Sequence, residues 1–193
     1  MVGRPKEFDQ QIALERAMEV FWAHGYEATS VQDLLDAMRI SRGSMYDTFG
    51  GKHALFSTAM EHYGRTVTCG LEEMLSGGGS PLGNVRKAMA RMVDQALNGS
   101  CRGCMATNTA VELAQHDPQV ARAVTAILQR IEKAFHRALK QAVTAGELKR
   151  TADTRALARF FTGTAQGVVV MGKASASRAT LKDIVTVALS TLE

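Results

Sequence analysis

Long apolar runs are missing from this sequence of 193 residues. The apolar stretch 168–171 lies between Gly167 and Gly172, far short of the ~20 apolar residues that a membrane-spanning helix needs. The segment 1–9 contains no hydrophobic stretch of the kind found in secretory signals. We therefore expect a cytoplasmic protein with no membrane partner.

Cysteine is scarce, with three residues at positions 69, 101 and 104. So small a set in a cytosolic chain argues against a structural disulfide. The spacing Cys101-Arg102-Gly103-Cys104 is shared by zinc sites, but zinc needs about four ligands and His116 is the nearest further candidate. A thioredoxin-like dithiol would need a βαβ context, which the sequence lacks. We expect no metal and no cofactor.

The sequence also lacks a strong charge of one sign. The composition is 46% hydrophobic and 22% charged, as in an ordinary globular protein, and the net charge is only +4. In the N-terminal third, acidic residues outnumber Lys and Arg. Charge alone is therefore a weak indication of nucleic-acid binding, which would depend on the local placement of a few side chains. These are Arg4, Lys6, Arg39, Arg42 and Lys52.

Sequence signals of catalysis are missing too. We find no metal-ligand set, nucleophile elbow, glycine-rich nucleotide loop or paired carboxylates. The loop 76–80 is rich in glycine, but no strand precedes it and no Lys-Ser or Lys-Thr follows at P-loop spacing. We interpret it as a flexible surface loop, and an enzyme is the remote alternative.

What the sequence does contain is helical periodicity along most of its length. Apolar residues recur at intervals of three and four, and Ser, Asp and Pro stand where helices would begin. The pattern predicts an all-α protein. The predicted helices run from about Asp9 to His24, Val31 to Met38, Arg42 to Thr48, Lys52 to Ser76, Ser80 to Leu97, Arg102 to Ala114, Pro118 to Ala145, Asp153 to Lys173 and Ser177 to Leu192.

Two short helices in the stretch 29–56 carry the clearest functional signal. Ser30 is a predicted N-cap for the first helix, with Asp33 completing an acidic variant of the capping box. Ser41 can cap the second helix, whose inward candidates are Met45 and Phe49. The rest of that helix is polar, small or amphipathic, as suits a surface pressed into a groove. Such a pair is the helix-turn-helix arrangement, whose second helix enters the DNA major groove.

The residues of this stretch resemble the signature of TetR-family transcriptional regulators. They are the run Ile40-Ser41-Arg42-Gly43-Ser44-Met45-Tyr46, then Phe49, Lys52, Ala54, Leu55 and Phe56, with Ala17, Phe21, Gly25, Tyr26, Thr29 and Ser30 upstream. Two features depart from the family pattern. Arg39 stands where the family usually has glycine in the turn, so the turn is either rearranged or strained. Asp47 and Thr48 replace the more usual basic or aromatic residues.

The resemblance implies a DNA-binding domain at residues 1–52 and an effector-binding and dimerisation domain at 53–193. Phosphate contacts are expected from Thr29, Tyr46 and Lys52, and base contacts from Ser44 and Thr48, on a helix that also presents Arg42 and Gly43. The segment around Arg4 and Lys6 is either a frayed terminus or an arm that lies on the DNA.

The resemblance also implies a homodimer, since in TetR-like chains the last two helices pair with their twins across a two-fold axis. Gly163 and Gly167, four residues apart, would let two backbones approach closely, although close packing inside one subunit is the alternative. The predicted interface consists of Phe160, Gly163, Gly167, Val168, Met171, Ile184 and Ala188.

Cys104 is the candidate sensor. A helix N-terminus and Arg102 would both favour its thiolate, and thiolates are oxidised or alkylated more readily than thiols. The stretch Gly103-Cys104-Met105, followed by Glu112 and Ala114, resembles a TetR subgroup that responds to electrophiles and oxidants. The alternative is that Cys104 is simply a small buried apolar residue.

The family resemblance implies an effector cavity among the middle helices. The candidate lining residues, each of which could equally be plain core, are Met89, Met92, Met105, Phe135, Phe160, Phe161 and Val168. The polar candidates in the same helices are Asn108, Thr109, Glu112, Gln166 and His136. The expected function is that of a homodimeric repressor released from a palindromic double-stranded DNA operator by a small hydrophobic or electrophilic effector. The alternative is a thiol switch at Cys104 with no reversible ligand.

Overall fold

The structure, a computed structural model, describes residues 8–98 and 102–193. Within these ranges it contains nine helices and no strand, which confirms the all-α prediction. The helices are α1 Gln10–His24, α2 Val31–Met38, α3 Arg42–Phe49, α4 Lys52–Leu75, α5 Pro81–Leu97, α6 Met105–Glu112, α7 Pro118–Thr144, α8 Thr154–Lys173 and α9 Arg178–Ser190. Arg4, Lys6 and Cys101 lie outside the described residues.

Most helix ends agree with the sequence because they are set by local caps. The Ser30 hydroxyl accepts from the Asp33 amide at 3.1 Å, and the Asp33 carboxylate accepts from the Ser30 amide at 2.8 Å, so the predicted capping box is present. The prediction for α6 was wrong at its start: the helix begins at Met105, not near Arg102. Gly103 adopts φ +77°, which breaks the helical path before Cys104.

The first three helices and the start of α4 enclose a small core. α1 packs against α2 and α4, and α3 packs against α4. Large side chains at the centre are almost fully buried, which fixes the orientation of α3 relative to α4. They are Phe21, Leu34, Met45, Leu55 and Phe56.

The second core lies among α4, α5, α7, α8 and α9. α7 packs against both α4 and α8, and α5 packs against α7, α8 and α9. Phe135 of α7 and Phe161 of α8 stack at its centre, with ring centroids 5.9 Å apart and neither ring exposed. The 24-residue α4 contributes to both cores and therefore joins them. In the described ranges, no helix is both long and apolar enough to cross a membrane.

Candidate nucleic-acid interface and effector cavity

The turn between α2 and α3 has a strained backbone at Arg39. Arg39 adopts φ 58° and ψ 45°, the left-handed conformation that the family usually gives to glycine. Its amide donates to the Leu35 carbonyl at 2.8 Å, which ends α2. Of the two possibilities left by the sequence, the tight turn is therefore retained with arginine in it, at a cost of about 1–2 kcal/mol.

Helix α3 presents a polar face to solvent. Met45 is its one fully buried residue, whereas Arg42 and Gly43 are exposed and the ring of Tyr46 is 47% exposed. The Ser44 amide donates to the Ser41 hydroxyl at 3.1 Å, and the two hydroxyls lie 2.9 Å apart. The Ser41 cap thus fixes the N-terminal half of α3, and the outer face of the helix is exposed to solvent.

Two of the side chains predicted to contact phosphates, Thr29 and Lys52, differ from each other in their surroundings. The Thr29 side chain is 1% exposed, and its hydroxyl donates to the Gly25 carbonyl at 2.6 Å. This hydroxyl stabilises the loop between α1 and α2, so in this conformation it is not available to a phosphate, contrary to our expectation. Lys52 is half-buried, and its Nζ lies 4.3 Å from the centroid of the Tyr26 ring. The ring positions the ammonium.

The C-terminal end of α6 is bonded to the loop that precedes α2. The Glu112 carboxylate accepts from the Tyr26 amide at 3.1 Å and from the Glu27 amide at 2.8 Å. Gly25 adopts φ +81°, and a Cβ there would lie 2.8 Å from Glu112 Oε2. Glycine is needed at this position both for its backbone conformation and for the close approach of the carboxylate.

Two further contacts connect the same parts of the molecule. Trp22 of α1 donates from Nε1 to the Gly103 carbonyl at 3.0 Å. His53, at the start of α4, lies 2.7 Å from Asp117, the N-cap of α7. This hydrogen bond, followed by those from the backbone amides that Asp117 caps, lowers the pKa of its carboxyl. Helix α1 and the start of α4 are therefore bonded to residues on either side of α6, at Gly103 and at Asp117.

A cavity of about 820 Å³ opens between α4 and α5, within the size range of small-molecule sites. It is lined by Trp22, Tyr63, Thr66, Val67, Gly70, Leu71, Glu73, Met74, Ala88, Arg91, Met92, Gln95, Ala96, Asn98, Arg102, Gly103, Cys104, Ile131, Ala165, Gln166 and Val169. Sequence reasoning missed Trp22, Tyr63 and Arg91 as lining residues. Only the spacing of Tyr63 on the inward face of α4 could have suggested one of them.

Cys104 is buried, 7% exposed, and borders this cavity. It occupies the N-cap position of α6. The Tyr63 hydroxyl donates to Cys104 Sγ at 3.4 Å and accepts from the Met105 amide at 3.1 Å. Burial raises the pKa of Tyr63 well above its ordinary value, with the Cys104 sulfur as a second cause, so the phenol stays protonated and remains a donor to the sulfur.

Of the other predicted lining residues, Met92 and Gln166 border this cavity and the rest do not. Met89, Phe135 and Phe161 are fully buried in the second core, so they are structural. Met105 and Asn108 line a separate groove of about 340 Å³ on the α1 side of α6. The spacing of apolar residues predicted that Met89, Phe135 and Phe161 would be buried. It did not indicate which buried side chains would line a cavity.

The predicted dimer face is partly exposed. Phe160 and Met171 are 44% and 37% exposed, and a Cβ built on Gly163 or Gly167 would meet no atom within 4 Å. These glycines therefore do not serve close packing inside the subunit. Three other predicted interface residues are less exposed: Val168 and Ala188 are buried in the chain's own core, and Ile184 is half-buried.

In the part of the chain that the structure describes, no group of three or more His, Cys, Asp and Glu could hold a metal ion.

Family models match both halves of the chain. The model described as "Bacterial regulatory proteins, tetR family" matches residues 13–59, which include the helix-turn-helix. The model described as "Tetracyclin repressor-like, C-terminal domain" matches residues 81–188.

Curated relatives and solved structures agree with these matches. The chain is 36% identical over 198 residues to the uncharacterized HTH-type transcriptional regulator YezE of Bacillus subtilis (strain 168), with all of both chains covered. It is 29% identical to the HTH-type transcriptional repressor ComR of Escherichia coli (strain K12), over 94% of this chain and 88% of the relative. A mutant of the TetR family transcriptional regulator CifR, complexed with 26-bp double-strand operator DNA, has a similar structure. Its TM-score is 0.88 and its identity 30%, with 99% of this chain and 100% of that chain covered.

Proposed function

The chain belongs to the TetR family of transcriptional regulators, and we propose that it acts as a homodimeric repressor released from a palindromic operator by a small effector. The single observation that carries the proposal is the geometry of α3. Its buried side is held by Met45, its start is capped by Ser41, and the face carrying Arg42 and Tyr46 is open.

We assign residues 1–52 to DNA binding and 53–193 to effector binding and dimerisation. Arg42, Gly43 and Tyr46 can lie against the DNA, with Ser44 and Thr48 directed at base edges. Lys52 supplies a phosphate contact from its position on the Tyr26 ring. Arg4 and Lys6, which lie outside the described residues, are proposed to add contacts to the DNA.

The exposed face of α8, which carries Phe160, Gly163, Gly167 and Met171, supports the proposal of a dimer. A second copy would bury this apolar face and would place two α3 helices on half-sites about one DNA turn, ~34 Å, apart.

The α6 region is the coupling element that we propose. Its N-terminal end, at Cys104, borders the cavity, and its C-terminal end, at Glu112, is bonded to the loop before α2. An effector that moves α6 would therefore move the helix-turn-helix of each protomer. A coupling free energy of ~1–3 kcal/mol is enough to change operator affinity 5- to 150-fold.

The test is operator binding by the purified protein on the DNA upstream of its own gene. Arg42→Ala should weaken specific binding about 5- to 150-fold, because an arginine contact to a base is worth about 1–3 kcal/mol. Arg130→Ala, on the exposed surface of α7, is the matched control. Equal binding by both variants would remove α3 from the interface.

The position of Cys104 favours a second candidate, a thiol switch with no reversible ligand. The sulfur borders the cavity beside the Tyr63 hydroxyl, so an electrophile or oxidant entering the cavity would meet it. Operator release by such a reagent in the wild type, but not in Cys104→Ser, would establish covalent sensing. Release in both proteins would show that Cys104 is not the sensor.

A further inference from the structure

The cavity between α4 and α5 has an apolar floor and a polar rim. The floor is buried or half-buried and consists of Tyr63, Leu71, Met92, Ile131, Ala165 and Val169. The rim is exposed and carries Thr66, Glu73, Arg91, Gln95 and Asn98. This division fits a ligand with an apolar body and one polar head.

Among the described residues, two cations and one anion border the cavity, and one of these cations is available to a ligand. Arg102 forms an ion pair with Glu19, and its guanidinium lies 4.2 Å from the centroid of the Trp22 ring. Arg91 has no ion-pair partner within residues 8–98 and 102–193. An anionic head at the α5 rim would therefore meet an uncommitted guanidinium.

The uncharged polar groups near the floor also favour a ligand that accepts hydrogen bonds. The Gln166 carbonyl oxygen already accepts from the Thr107 hydroxyl at 2.5 Å, which leaves the Gln166 amide N–H groups as the unused donors. The Tyr63 hydroxyl is engaged with Cys104 and with the backbone of the next residue. Of these two side chains, Gln166 therefore still has hydrogen-bond donors to offer a ligand.

A cationic head is disfavoured by the same contacts. The face of Trp22 that could receive an ammonium group already carries the guanidinium of Arg102. The Tyr63 ring packs against the Trp22 ring at an interplanar angle of 69°. A ligand ammonium would also meet the charge of Arg91, and the Glu73 carboxylate on the α4 side, which could attract it, already accepts a hydrogen bond from the Cys69 thiol.

We propose that this cavity binds an amphiphilic organic anion, whose apolar body lies on the floor and whose carboxylate pairs with Arg91. The proposal rests on the proposed function, because it specifies the chemical class of the effector for the site assigned there.

The test uses three probes with one apolar chain and different heads: octanoate, octanol and octylamine. Trp22 is the single tryptophan of the chain and borders the cavity, so its fluorescence reports occupancy of the full-length protein, and calorimetry gives the dissociation constants. Octanoate should bind about tenfold tighter than the other two, as expected for one charge-assisted contact. Arg91→Gln should abolish that preference, and Arg86→Gln, on the same helix outside the cavity, should keep it.

Three results would overturn the proposal: octylamine binding tightest, all three probes binding alike, or none binding. An equal loss of octanoate affinity in Arg91→Gln and in Arg86→Gln would overturn the proposal as well. Operator binding measured in the same samples separates the two hypotheses. Octanoate binding without operator release supports the ligand class and rejects effector gating, and operator binding without probe binding rejects the ligand class alone.

Discussion

Glu112 accepts a hydrogen bond of 2.8 Å from the backbone amide of Glu27, 85 residues away in the sequence. The same carboxylate binds the neighbouring amide of Tyr26. Through these two bonds, the last residue of α6 holds the loop that leads into the helix-turn-helix. A short helix bordering the cavity is thereby bonded to the DNA-binding part of the chain, and this contact gives the first prediction.

Glu112→Gln should loosen this loop. The substitution replaces one acceptor oxygen by a donor that faces a backbone N–H, so one of the two hydrogen bonds is lost. We expect a loss of about 1–2 kcal/mol in the free energy of unfolding, measured by urea denaturation, together with a smaller operator response to effector. Glu61→Gln, at an exposed position of α4, is the control. Equal stability of the two variants would contradict the assigned contact.

Lys52→Gln should reduce the salt dependence of operator binding. Each phosphate contact contributes about 0.9 to the slope of log K against log salt concentration, so loss of the Lys52 contact from both protomers of the proposed dimer should make the slope shallower by about 1.8. Lys87→Gln, on the exposed surface of α5, should leave the slope unchanged. If the slope of Lys52→Gln equals that of the wild type, the ammonium on the Tyr26 ring does not contact a phosphate.

Gly163→Ala combined with Gly167→Ala should weaken dimerisation while favouring the helix. Both positions have open space in the subunit, so alanine should stabilise α8 by about 0.5–1 kcal/mol per site. In the proposed interface the added methyl groups would hold two backbones apart. Sedimentation equilibrium of the double variant should therefore give a higher dimer dissociation constant, and Gly70→Ala, another open helical site on α4, should not. Unchanged dimerisation would place the interface elsewhere.

Cys69 should react slowly with alkylating reagents although it is exposed. Its thiol donates to Glu73 Oε1 at 3.4 Å, and this hydrogen bond, together with the negative charge of Glu73, raises the pKa of the thiol. The reactive thiolate is therefore scarce at neutral pH. Mass spectrometry of iodoacetamide-treated protein should show faster modification of this residue in Glu73→Gln than in Glu61→Gln. Equal rates would show that Glu73 does not control it.

Asp117 should contribute to acid denaturation. Its carboxyl has a lowered pKa, first because of His53 and then because of the amides that it caps. A group with a lowered folded-state pKa contributes stability that is fully present above its unfolded pKa of ~3.9 and is lost as the pH falls through the lower folded value. Asp117→Asn can still cap α7 but cannot titrate, so its stability should fall less as the pH is lowered below about 4. Asp183→Asn, at an exposed position of α9, should follow the wild type.

The helix boundaries and the helix-turn-helix could be predicted from the sequence because they depend on neighbours within a few residues. Ser30, Ser41, Pro81 and Pro118 mark helix starts wherever they are placed in space. The one clear error, the start of α6, came from a glycine whose left-handed conformation broke a pattern that looked continuous. Periodicity also separated buried from exposed faces, as the burial of Met89, Phe135 and Phe161 shows.

Only the tertiary structure decided which of the buried and half-buried side chains border a cavity. That depends on the crossing of α4 and α5 and on the rotation of each helix about its axis, neither of which is encoded in the spacing of apolar residues. It also turned the Thr29 hydroxyl inward and joined Trp22 to Gly103 and Glu112 to Glu27. The last two contacts link residues that lie more than 80 positions apart in the chain. Helix periodicity acts over four residues and therefore carries no information about them.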